Sequence, residues 1–362
     1  MKSGKIGNFL SVLAIFLLLF SYPLAISADE VIEIKANAFH PMGHTINEEG
    51  FKWYGKEIEK RTNGKVKFTW FLGQTLVTMS KTYDALKSGI CDWAYIIPAW
   101  NPNEFVMTNA MNLPFTALNS AHASAILRQV DKEFPELKAE YKKVQPLFFF
   151  STASIHVHTN KKSFQPKTIE DLSGLRLGSP GPKHAAYLNM IGAAAQQIES
   201  GDLYTAMQRG MIDGVIHPDA SLKSQKLTDL CDYHMMMSLG IDVFTVAMNK
   251  NSWKKLPPDV QKVILEMNDS SSALFSAVIN NEADWVNGEL KKRGDIFYYL
   301  PDDEKDRMRG KLKPVYDEWL EKAKDRGLDG PKILKRVREI SDETRNQPYK
   351  PDAWWGNAGR KD

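Results

Sequence analysis

Two hydrophobic periods alternate along this chain, and few folds accommodate both. Val66, Phe68 and Trp70 alternate with Lys65, Lys67 and Thr69, the period of a strand with one buried face. Just before them, Phe51, Tyr54 and Ile58 stand at helical spacing, and Asn63-Gly64 closes that helix. Met79, Tyr83 and Leu86 mark a second helix, and Ala94-Tyr95-Ile96-Ile97 a strand buried on both faces. The pattern returns downstream. Leu147–Phe150 and Ile155–Thr159 read together as one long apolar strand. Helical positions at His184–Ile191 and at Leu203, Met207 and Met211 are followed by strands at Val215-Ile216 and Val243–Met248. From Pro257 onward the spacing is helical almost throughout, over Val260–Met267, Leu274–Leu290 and Asp302–Arg326. Such alternation predicts α/β domains with largely parallel sheets. No linker rich in Pro, Gly or Ser divides the chain, so two domains sharing several crossing segments fit better than two independent ones.

The N-terminus carries Lys2 and Lys5, an apolar run from Phe9 to Phe20, and small residues at Ala25, Ser27 and Ala28. This is the layout of a secretory signal peptide, with a run too short to span a bilayer, and cleavage is expected after Ala28. Loss of the two lysines takes the formal charge from +3 to +1, too little and too dispersed for a nucleic-acid partner. The expected product is exported and soluble, in a periplasm. Cys91 and Cys231 share no local pattern, and two buried free thiols are expected rather than a disulfide.

The chemical motifs point away from catalysis. His40 and His44 are four apart, but Pro41 and Gly43 lie between them, so the spacing of a helical metal pair has no meaning there. His156 and His158 share a strand face without a third ligand at a telling spacing. Gly178-Ser179-Pro180-Gly181-Pro182-Lys183 resembles a phosphate loop only superficially, because its prolines supply no N–H groups. No nucleophile-elbow or zinc-protease motif occurs, and neither a cofactor nor a metal is expected.

Several segments, in order, resemble one family. They are Thr62-Asn63-Gly64-Lys65-Val66, Gly73-Gln74-Thr75-Leu76, Gly89-Ile90-Cys91-Asp92, Leu113-Pro114-Phe115, Leu172-Ser173-Gly174-Leu175-Arg176-Leu177, the run Leu203–Gly214, and Met248-Asn249-Lys250 with Trp253–Pro257. From about Val31 to Trp319 the chain resembles the substrate-binding proteins of TRAP transporters, the DctP-type family. The resemblance implies a two-lobed periplasmic solute-binding fold, with crossing hinge strands and a long helix bridging the lobes. It implies a signal peptide over 1–28, a first lobe over 29–152, a second over 153–242, a return to the first over 243–285, C-terminal helices across both over 286–345, and a tail over 346–362. The lobes would close on a small organic acid and deliver it, without ATP or covalent chemistry, to a membrane permease of small and large subunits. A monomer is expected. A sensor subunit for a membrane kinase, or the binding protein of an ATP-driven importer, remains the alternative.

The family reads G-x-K-[IL]-R where this chain has Gly174-Leu175-Arg176-Leu177-Gly178, so the carboxylate-binding guanidinium is missing at Gly178. Arg176 matches the family's Lys and is expected to stay outside the cleft more readily than to replace it. The matching cleft positions are Phe39, His40, Ile97, Trp100, His217, Met237 and Phe244. They suit an aromatic or otherwise weakly acidic molecule, stacked on Trp100 and Phe39, with His156 and His217 donating hydrogen bonds.

Overall fold

The computed structural model describes residues 31–345; the expected leader and tail lie outside them. Eleven strands follow in chain order: β1 (Ile32–Ala38), β2 (Val66–Leu72), β3 (Trp93–Ile96), β4 (Val144–Ser151), β5 (Ile155–Thr159), β6 (Arg176–Ser179), β7 (Ala194–Gln197), β8 (Gly214–Pro218), β9 (Tyr233–Met236), β10 (Val243–Asn249) and β11 (Ile296–Tyr299). They form two sheets, β2-β1-β3-β10-β4 and β11-β9-β5-β8-β6-β7, each the floor of one lobe.

The sheets are mixed rather than largely parallel. β1 runs parallel to β2 and β3, but β10 is antiparallel to both β3 and β4. In the second sheet β5 is antiparallel to β8 and β9, while β6 runs parallel to β7 and β8. The reason is the crossing between lobes. The expected long strand over Leu147–Thr159 breaks at Thr152–Ser154, and its halves enter different sheets as β4 and β5. The chain returns beside its own path as β10, and a strand that retraces its neighbour is antiparallel to it. The two crossings are paired. Thr152 donates its N–H to the Asp242 carbonyl, and Asp242 donates its own to Thr152 Oγ1, both at 2.9 Å. Ile155 and Gly240 pair one step further on, at 3.0 Å. Two adjacent crossing strands of this kind can serve as a hinge that bends without tearing either sheet.

The helix Asn268–Arg293 is the bridge. Its first half packs Leu274, Phe275, Val278 and Ile279 into an aromatic core with Phe51, Tyr54, Trp93, Tyr95 and Phe150. Its second half inserts Val286 and Leu290 into the second lobe beside Leu203, Val215 and Leu222. Asn287 also donates to Asp219 Oδ2 at 2.8 Å. The last helices (Asp302–Lys311, Lys313–Asp325 and Gly330–Thr344) close over the first lobe, where Ile333, Val337 and Ile340 share a core with Ile126 and Leu127. Glu304 reaches the second lobe and accepts the Ile169 N–H at 2.9 Å. Cys91 and Cys231 are buried free thiols in different cores, and burial pushes each up to about 12. Among the described residues no helix is long and apolar enough to cross a membrane.

Candidate functional site

The loops that follow β1, β2, β3 and β6 meet the C-terminal end of β8 between the lobes, at the ends where α/β sheets gather ligands. The first lobe contributes Phe39, His40, Gln74, Ile97 and Trp100; the second contributes Pro180, Gly181, His217, Pro218 and Ser221. Thr152, Asp242 and Phe244 of the crossings form the floor. The walls stand close, leaving about 60 Å³ that a water molecule can occupy, so a guest of several carbon atoms requires the lobes to part.

The aromatic wall is fixed from behind. Phe39 packs on Tyr95, centroids 4.1 Å apart, and edge-on to Phe244 at 6.0 Å. His40 lies parallel to Tyr95, and its Nδ1 bonds the Tyr95 hydroxyl, which also accepts the His40 backbone N–H at 3.2 Å. His44 links the lobes. Its Nδ1 accepts the Ile46 N–H at 3.2 Å, so Nε2 carries the proton and donates to Ser221 Oγ at 3.2 Å. Burial holds these rings neutral. His40 lies well below the usual imidazole range, His44 is lowered to about 3, and His217 to about 4.

The floor itself holds a buried ion pair. Lys183 Nζ sits 2.6 Å from Asp242 Oδ1 and also donates to the Ile241 carbonyl at 3.0 Å. Burial alone would push the Asp242 carboxyl up, but the adjacent His184 and Lys183 outweigh it and hold it below the usual carboxylate range. Sequence reading missed both residues. One signal was available: Lys183 stands in the first turn of helix Pro182–Met190, where the helix dipole disfavours a cation, and such a placement calls for a carboxylate partner.

The structure brings Phe39, His40, Ile97, Trp100, His217 and Phe244 to one cleft and places the other four elsewhere. Arg176 is half exposed on the outer side of β6, its Nη2 2.5 Å from Asp213 Oδ1 and its Nε 3.1 Å from Oδ2. At Gly178 a Cβ would lie 2.8 Å from Leu203 and Ile212 methyls, so that position has no room for any side chain. Met237 is buried in the hydrophobic core with Leu239 and Ile241. His156 accepts the Ser238 N–H on Nδ1 at 3.1 Å and lines a separate cavity with Asp219 and Asp284. It is therefore not among the groups that face a guest in this cleft.

The lobes touch where Gly181 meets Trp100; a Cβ there would lie 2.8 Å from the indole Nε1. Gly181→Ala is expected to hold the cleft wider and to weaken capture of a guest about tenfold, the effect of a contact worth about 1.4 kcal/mol. Small-angle scattering should show a larger radius of gyration for the variant; equal radii would mean that the indole alone has shifted.

A family model described as bacterial extracellular solute-binding protein, family 7, matches residues 38–323. The C4-dicarboxylate-binding periplasmic protein DctP of Rhodobacter capsulatus is 23% identical over 267 residues, 73% of this chain and 79% of that one. A TRAP solute-binding protein of Rhodoferax ferrireducens, solved with copurified benzoate, superposes with a TM-score of 0.79 at 23% identity, covering 87% of this chain and 99% of that one. A TRAP periplasmic solute-binding protein of Bordetella bronchiseptica, solved with (R)- and (S)-mandelate, gives 0.79 at 23% identity, with 86% and 99% covered.

Proposed function

Since this chain belongs to the bacterial extracellular solute-binding proteins of family 7, we propose that it captures an aromatic carboxylic acid and delivers it to the membrane subunits of a TRAP transporter. The observation that carries this reading is the cleft lining. Phe39, Trp100 and Phe244 offer ring surfaces, His40 and His217 offer polar edges, and among the described residues no Arg or Lys lines the cleft. A C4 dicarboxylate is small, flexible and doubly charged, and these walls would desolvate it without a cation to receive it. A benzene ring with one carboxyl uses both kinds of wall. The benzoate and mandelate held by the two similar structures support the same class. Export to the periplasm after cleavage at Ala28, action as a monomer, and reversible capture without bond chemistry complete the proposal.

A thermal-shift panel of benzoate, 3-hydroxybenzoate, mandelate, succinate, malate and glucuronate tests it. An aromatic acid at a hundredfold excess over its Kd should add about 2.7 kcal/mol of stability. A shift with succinate or malate alone would contradict the reading. Trp100→Ala is expected to weaken the best aromatic acid at least tenfold, since a stacked aromatic contributes about 0.5–1.5 kcal/mol beyond its buried area. Titration calorimetry measures the loss, and unchanged affinity would remove Trp100 from the site.

A further inference from the structure

We propose that the acid enters this cleft together with one proton, so that capture of the carboxylate is coupled to proton uptake from solvent. The inference rests on the function proposed above and specifies how its site holds an anion without a guanidinium. Three observations carry it. First, among the described residues the cleft has no free cation. Lys183 is committed to Asp242 and to the Ile241 carbonyl, and Arg176 is bound to Asp213 outside the cleft. Second, Asp242, the one carboxylate on the lining among the described residues, is negative, so an unprotonated acid would add a second buried anion beside a pair that already cancels. Third, the two histidines on facing walls have complementary free edges. Tyr95 accepts the His40 backbone N–H, and in the tautomer where its hydroxyl donates a hydrogen bond to His40 Nδ1 the His40 proton sits on Nε2 as a donor. His217 donates from Nδ1 to the Pro218 carbonyl at 3.2 Å, which leaves Nε2 with a lone pair. One donor and one acceptor across a slot match the C=O and the O–H of a carboxylic acid.

The balance is simple. The anion R–COO⁻ and one H⁺ from solvent bind, and an N–H or O–H bond forms between His217 Nε2 and the carboxyl. No other bond changes. The titratable groups around His217 are His40 and His44 from the loop after β1, His184 from helix Pro182–Met190, Asp242 from the return crossing with its partner Lys183, and His158 from β5. Of these, Lys183 and Asp242 are charged near neutrality and offset one another, so the incoming carboxylate is the group that moves His217.

Isothermal titration with benzoate, 3-hydroxybenzoate and mandelate, each at pH 6.5 in two buffers of different ionisation enthalpy, tests this. The difference in heat should report uptake of about one proton per bound acid, and the Kd should rise about tenfold per pH unit above pH 6. His217→Asn should abolish the uptake, and His40→Gln should weaken binding while retaining it. Binding with no buffer-dependent heat and a Kd flat from pH 6 to 8 would overturn the inference and leave the proposed function standing. Failure of all three acids to bind would overturn both.

Discussion

Between pH 7 and pH 5 the folded state should lose on the order of 5 kcal/mol, a large share of the stability of a chain of this kind. The loss comes from imidazoles buried neutral. His44 and His184 are lowered to about 3 and His217 to about 4, in each case chiefly by burial. The unfolded chain titrates its histidines near 6.5, so below that pH it takes up protons that the folded state refuses. The stabilisation is complete above about pH 6.5 and is lost as pH falls toward the folded values. At pH 5 each of the three accounts for about 2 kcal/mol. His40 and His158, lowered in the same direction by burial, add to the loss. Glu140 works against it. Burial pushes its carboxyl up to about 7, so protonation at lower pH offsets about 2–3 kcal/mol. Asp242 takes no part in this window, because a carboxyl held below its usual range contributes until the pH falls below about 4. Urea midpoints at pH 7, 6 and 5 provide the measurement. A midpoint unchanged across that range would mean that these rings are solvated or already charged.

Lys183→Met is expected to cost about 3–5 kcal/mol, because it leaves the Asp242 carboxylate buried without its cation. The pair is enclosed: the side chains are 10% and 18% exposed, with the charged atoms 2.6 Å apart. Asp242→Asn should cost a similar amount, since the ammonium then has only the Ile241 and Asn112 carbonyls, at 3.0 and 3.4 Å. The double variant should cost about 2–3 kcal/mol less than the sum of the two single losses, which is the coupling in a thermodynamic cycle. The pair also joins helix Pro182–Met190 of the second lobe to the return crossing, so it sets the floor of the cleft against the hinge. Simple additivity in denaturation experiments would mean that the two groups are independently solvated.

The alternation of β1, β2 and β3 with intervening helices was legible because each period is local. The break at Thr152–Ser154 was not. Apolar residues flank it on both sides, and only the pairing of Thr152 with Asp242, 90 residues away, assigns the two halves to different sheets. β11 was hidden within a helical stretch, because four residues of Ile-Phe-Tyr-Tyr acquire strand identity only by pairing with β9. At the site, Phe39, His40, Trp100 and His217 were reached through positions of the resembling family. Gly178 and Met237 were placed in the cleft by the same route, but their directions depend on which face of the chain meets Leu203, Ile212 or Leu239. Lys183 and Asp242 escaped notice because two charges 59 positions apart look like solvated residues until the fold buries them together.

The most direct test of the account is a crystal structure of the protein grown with benzoate. The ring should lie between Phe39 and Trp100, with its carboxyl bridging His40 and His217 and Arg176 still bound to Asp213. Benzoate outside this cleft, or Arg176 swung in to grip the carboxylate, would contradict it.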